Sequence, residues 1–468
     1  MLFNSIVFLI FFTIFFFLFY FLNGNSRKIL LLLGSCIFYM WFIPVYILIL
    51  FLTILIDYYA AKKIEDSNSQ AAKKRLLLFG IINTCLVLFV FKYFNFFTDN
   101  FNALGFGQLP HWNIILPIGL SFHTFQSLSY VIEVYRGNIK AERNLVNYSN
   151  FVMMFPQLVA GPIERANNLL PQLKNCDHII TYKDFSTGLH RFFWGLFKKV
   201  VIADTLSRFV DAAYNNYQFQ PGSMLLVATI FFSIQIYCDF SGYSDMAIGV
   251  ARMLGFKFRE NFTLPYFSKS ITEFWKRWHI SLSTWLKDYI YISLGGNRLA
   301  KWLTYRNLML TMLIGGFWHG ASWNFIIWGG LNGLYLSIEK FFNFSKSYSK
   351  NMITKDIKIF YVFTLISFSW IFFRATTFQQ SVAIIKTIVT DFSISKFHFW
   401  DLSIYPAVIF GIGVLLGFEY FVLRRYSFDE LFEKKNGDLL LSGFTLFLIF
   451  LILFLGNSNG SQFIYFQF

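Results

Sequence analysis

"MLFNSIVFLIFFTIFFFLFYFLN", residues 1–23, is a run of apolar and aromatic side chains with no charge. About 20 such residues in helical form span the hydrocarbon core of a bilayer. The run has neither a basic n-region nor a small-residue cleavage site. It therefore reads as a retained first helix and not as a removed signal peptide. Similar stretches recur along the chain, near 29–41, 43–60, 77–97, 112–132, 222–238, 306–318, 322–340, 358–373, 402–423 and 439–455. Pro44 divides the second apolar region in two, because proline breaks the helical ladder. The chain reads as an all-α, polytopic membrane protein with about eleven transmembrane helices. The period-two alternation of a membrane barrel is missing.

Composition agrees. Of 468 residues, 56% are hydrophobic, 22% aromatic and only 14% charged, against about 25% charged in an ordinary soluble domain. The formal charge of +15 does not point to nucleic acid, because the basic residues stand in short clusters beside apolar spans, as at 62–63 and 73–75. Such clusters orient helices and meet anionic lipid. Cys36, Cys85, Cys176 and Cys238 stand far apart and define neither a disulfide framework nor a zinc site. The loop 61–75 holds five Lys or Arg and is expected in the cytoplasm. Arg424, Arg425, Lys434 and Lys435 place the loop before the last span there too, so the uncharged "GNSNGSQFIYFQF" (456–468) is expected outside.

Other stretches are less ordinary. "FPQLVAGPIER" (155–165) is apolar but carries two prolines and a glycine, which suits a re-entrant turn packed against protein. Residues 188–210 and 274–296 mix charges with aromatics and read as amphipathic or half-buried helices. Ionisable groups at membrane depth are functional candidates, because burying them is expensive. Three clusters qualify: His319 in "IGGFWHGASWNFIIWGGLNG" (314–333), His279 with Arg277 and Asp288 in "WKRWHISLSTWLKDY" (275–289), and Asp239 with Asp245 in "IYCDFSGYSDMAIG" (236–249). His319 is the sharpest, since a neutral imidazole between Trp318 and Trp323 can act as a general base. A hydrogen-bonded structural histidine is the plain alternative, and the two aspartates equally suit helix caps or partners of basic groups. His123, inside an apolar span, is a further candidate. No P-loop or H-E-x-x-H is present, and His279 and His319 are too far apart for a metal motif on one helix.

"FPQLVAGPIER", "YCDFSGYSDMAIG", "FWKRWHISLSTWLKDYIYISLGGNR" and "GGFWHGASWNFIIWGGLNG" occur in this order. Together they resemble the membrane-bound O-acyltransferase (MBOAT) family, in particular its bacterial branch that O-acetylates cell-envelope polysaccharides. The resemblance implies a single transmembrane domain around a central tunnel. Its parts would be N-terminal helices (1–110), a catalytic core (111–340), C-terminal helices (341–455) and an extracytoplasmic tail (456–468). It puts the family's invariant histidine on His319 and its second polar site on His279. Acetyl-CoA is the implied donor, with Lys276, Arg277 and Arg298 as neighbours for its phosphates, and no metal is implied. "FIYFQF" (463–468) resembles an acyl-transfer motif whose tyrosine, here Tyr465, receives the acyl group. A phenol has a pKa near ~10 and needs a base to become a nucleophile. An interfacial aromatic anchor is the plain alternative for the same residues.

Partners follow from the same resemblance: a periplasmic esterase-like transferase and a polysaccharide acceptor, in the bacterial inner membrane. Peptidoglycan is the expected acceptor, because the Phe-, Ile-, Lys- and Asn-rich composition suits an AT-rich genome; alginate or another exopolysaccharide is the alternative. A transporter of an acyl donor or polysaccharide, or a non-catalytic scaffold, would share the many spans.

Overall fold

A computed structural model describes residues 1–177, 179–298, 300–344, 352–393, 406–457 and 463–464. Among these the regular structure is helical, with no strand. Among the described residues five helices are long and apolar enough to cross a membrane: Gln70–Ala103, Gly222–Met253, Ile353–Arg374, Pro406–Leu423 and Gly437–Leu455. The first apolar run forms the shorter helix Ile6–Phe21. Other expected spans fall in Gly24–Met40, Tyr46–Asp66, Lys301–His319 and Trp323–Phe341. The expected 112–132 span is helical only from Leu120. Pro117 and a left-handed Gly119 (φ +78°) precede it, and neither backbone continues a helix.

The chain forms two compact units, one of residues 1–189 with 247–259, the other of 190–246 with 260–468. In the first unit Ile6–Phe21 buries Phe8, Phe15 and Phe19, a one-sided stripe at helical spacing. Its last carbonyls have no helical partner, and buried Arg27 supplies one, donating Nε to Phe19 O at 3.0 Å and Nη2 to Tyr20 O at 3.2 Å.

Residues 155–165 are buried throughout, and only Phe155–Leu158 is helical. The backbone groups freed by this break find side chains. Ser35 Oγ accepts the Phe155 N–H at 3.0 Å, and Gln157 Nε2 donates to Phe151 O at 2.6 Å, beside Gln126 Nε2. Without such partners, non-helical backbone would not survive in an apolar interior. Gly119 completes the packing: a Cβ there would stand 2.3 Å from Leu158 O. Gly119→Ala therefore combines a left-handed φ, costing about 1–2 kcal/mol, with a backbone collision. We expect its thermal midpoint in detergent to fall well below wild type, with little monodisperse protein recovered.

In the second unit one aromatic and aliphatic core runs from Trp194 through Trp278, Trp328 and Trp370 to Ile464. Gly316 and Gly329 bring Lys301–His319 and Trp323–Phe341 into close contact; a Cβ at Gly316 would lie 2.3 Å from Phe325 O, and one at Gly329 2.4 Å from Met312 O. The charges of 188–210 that suggested an amphipathic helix turn inward here. Lys198 Nζ meets Asp245 at 2.5 Å and Ser241 Oγ at 2.9 Å. Arg191 Nε donates to the same Asp245 at 2.9 Å and its guanidinium pairs with Glu260. Lys199 lies 2.8 Å from Asp204 and 2.7 Å from Asp239. Asp239 and Asp245 thus partner basic groups. Lys198 and Lys199 belong to a π-helical turn, Lys198–Ala203, a distortion frequent at functional sites.

Candidate active site

His319 closes the helix Lys301–His319, where Gly320 takes extended backbone and Ser322 starts the next helix by accepting the Asn324 N–H at 3.1 Å. The imidazole is buried among rings: Trp318 and Trp328 centroids at 5.0 Å and Phe373 at 5.4 Å. Trp323, expected beside it, is exposed.

His279 stands between two short helices, Ile271–Arg277 and Ile280–Leu286, outside the spanning helices. It is fully buried and its backbone is left-handed, φ +43° and ψ 55°. For a residue with a Cβ and a ring this is a strained conformation, of the kind that clusters at functional sites. Its Nδ1 lies 3.1 Å from Asn261 Oδ1. That oxygen also accepts from Ser281 Oγ at 2.9 Å and Ser281 N at 3.2 Å, while Asn261 Nδ2 donates to Ser244 Oγ at 3.0 Å. The four bonds fix which end of the amide is oxygen, so Nδ1 carries the proton and Nε2 the lone pair. Burial pushes the imidazole pKa down to about 3, so this neutral tautomer persists at physiological pH.

The two histidines share one aromatic box. Trp318 lies 5.0 Å from His319 and 6.3 Å from His279. Phe240 meets His279 edge-on at 4.6 Å, and its other side faces Phe463 at 5.9 Å. Phe463 also packs on Tyr243 at 4.8 Å, and the Ile464 N–H donates to Asp239 Oδ2 at 2.8 Å. Residues 463–464 are thus buried one ring away from His279. Tyr465 lies outside the described residues.

Other candidates sit elsewhere. Lys276 and Arg298 are exposed, and Arg277 pairs with Glu273 at 2.6 Å. Asp288 neighbours Lys287 at 3.5 Å. His123 is buried on Leu120–Tyr135 in the first unit. Asn261 and Phe240 were missed by the reading of the sequence. Asn261 lies in "ENFTLP", which has no periodicity or motif linking it to a histidine eighteen positions on.

The sequence model of "MBOAT, membrane-bound O-acyltransferase family" matches residues 32–373, most of the chain. The chain belongs to the MBOAT family. This MBOAT protein is 46% identical over 448 residues to the probable alginate O-acetylase AlgI of Pseudomonas syringae pv. tomato, covering 94% of this chain and 84% of the relative. It is 33% identical over 483 residues to the peptidoglycan O-acetyltransferase of Helicobacter pylori, covering 94% and 91%. A shorter match, 29% over 290 residues, links it to the teichoic acid D-alanyltransferase of Bacillus subtilis, covering 58% and 71%. As an MBOAT protein it is a multi-pass membrane acyltransferase.

Proposed function

We propose that this MBOAT acyltransferase takes acetyl from cytoplasmic acetyl-CoA and passes it, through His319 and Tyr465, to an extracytoplasmic partner that O-acetylates an envelope polysaccharide. The observation that carries this reading is the burial of Phe463 against Phe240, the ring that touches His279, with Ile464 held on Asp239. Tyr465 is the next residue in the chain.

In the proposed step His319 removes the phenolic proton of Tyr465. The phenolate attacks the thioester carbonyl, the C–S bond breaks, and the CoA thiolate takes the proton back from His319. The aryl ester is itself a good acyl donor, because phenolate leaves readily. An esterase-like periplasmic transferase would accept it and pass acetyl to a sugar hydroxyl. With Nδ1–H committed to Asn261, His279 offers a lone pair and not a proton. It therefore suits an acceptor that orients the incoming hydroxyl, and it is a poor group for polarising a carbonyl. Lys276, Arg277 and Arg298 remain the proposed phosphate neighbours. Two acceptor polymers are carried: peptidoglycan, favoured by composition, and an alginate-type exopolysaccharide, favoured by the 46% identity to a relative named for alginate against 33% for the one named for peptidoglycan. The bacterial inner membrane, with residues 456–468 outside, is part of the same proposal.

The test is a peptide mass. Purified protein incubated with acetyl-CoA should gain one acetyl group on the peptide holding Tyr465, and the label should be absent from Tyr465→Phe. CoA released with the peptide unmodified would return "FIYFQF" to an anchoring role. Ester-linked acetate in peptidoglycan and exopolysaccharide fractions of a deletion strain would choose between the acceptors.

A further inference from the structure

We propose that the π-helical turn Lys198–Ala203, with Asp239, is a latch that holds Asn457 and Ile464 of this same chain and so seats Phe463 and Ile464 beside the histidine box. Its role in transfer rests on the carrier reading of Tyr465 given above; the latch itself does not.

Two anchor points support it, one on the turn itself and one on Asp239, which Lys199 of the turn holds. At the first, the Asn457 N–H donates to Val200 O at 3.2 Å. Asn457 Nδ2 reaches Asp204 O at 3.1 Å, and Arg208 donates to Asn457 Oδ1. At the second, Asp239 Oδ2 accepts the Ile464 N–H at 2.8 Å. The other oxygen of that carboxylate is held 2.7 Å from Lys199 Nζ, which Asp204 braces from 2.8 Å. A π turn re-routes the backbone ladder by one residue, and here it supplies both the Val200 carbonyl and the Lys199 ammonium.

The chemistry of the latch suits a peptide backbone. A buried carboxylate accepting an amide N–H makes a charge-assisted hydrogen bond, stronger than a neutral one, and it does not depend on the side chain at 464. Selectivity comes from the next position, where Tyr243 and Phe240 take the ring of Phe463. Phe463 is 1% exposed and Ile464 3%, so these two residues are buried in the unit and not laid on its surface. Asp239 is a positioning residue in this account: it holds the segment and touches no reacting atom.

Hydrogen exchange read by mass spectrometry on the peptide covering 457–468 tests the latch without reference to activity. In the full-length protein with Asp239→Ala, the Ile464 amide should exchange at least ten times faster than in wild type. Acetyl occupancy of Tyr465 should fall at least tenfold in the same sample. Phe463→Ala removes the ring from the other partner, leaves the ion cluster intact, and should speed exchange too; it decides alone if Asp239→Ala fails to fold. Unchanged exchange at Ile464 in a folded variant would overturn the latch. Faster exchange with undiminished Tyr465 acetylation would overturn its role in delivery. A protected amide in wild type that never gains acetyl at Tyr465 would refute the carrier reading while supporting the latch.

Discussion

His319→Ala is expected to lower acetyl transfer by about 10²–10⁴-fold, the usual contribution of a positioned general base. A phenol or sugar hydroxyl is almost wholly protonated at neutral pH, so without the base the thioester meets a poor nucleophile. The loss should fall on kcat with KM nearly unchanged, because the imidazole acts on a proton in flight and not on the bound donor. Three rings line its site, Trp318, Trp328 and Phe373, and alanine would leave a gap among them. His319→Gln, which fills more of the space, should be as inactive and better folded. Activity within tenfold of wild type in either variant, at equal membrane content, would remove His319 from the base role.

Asp245→Ala should be the most damaging single change to folding in the second unit. It strips the carboxylate from Lys198, itself 2% exposed, and from Arg191, leaving the buried ammonium ion with the Ser241 hydroxyl but without its paired charge. Removing one partner of a buried pair costs about 3–5 kcal/mol, mostly as the uncompensated charge left behind. The melting temperature in detergent should drop sharply. Lys198→Met in the same background should recover part of the loss, since it removes the orphaned charge and restores apolar packing. A double variant no more stable than Asp245→Ala would show that the ion pair is not the source of the effect. Arg191 still has Glu260, so its contribution to the loss is the smaller one.

Much of this architecture was readable in the sequence because the bilayer imposes a one-dimensional rule. Apolar runs of span length announce helices, and among the described residues the five helices long and apolar enough to cross a membrane fall on expected spans. The proline- and glycine-bearing 155–165 read as a broken segment, and its buried backbone is served by Ser35, Gln126 and Gln157. What stayed hidden is three-dimensional. Hydropathy placed a helix from 112, but a local dihedral at Gly119 moved its start to Leu120. The charges at 191, 198 and 199 read as part of an amphipathic or half-buried helix, and only tertiary packing brings Asp239, Asp245 and Asp204 to them. His279 and His319 stood out as polar groups in apolar motifs, yet their common wall, Trp318, and the amide that orients one of them, Asn261, are tied to them through space and not by spacing.

The left-handed backbone of His279 has a consequence for anyone engineering this enzyme. Glycine is at ease at φ +43°, and asparagine is the side chain best adapted to that region. Substituting either would relax that dihedral but empty a fully buried place against Phe240 and discard an imidazole that catalysis is proposed to need. The packing and hydrogen bond around the ring thus hold the backbone in a shape it would not choose, and a redesign of this position has to keep both.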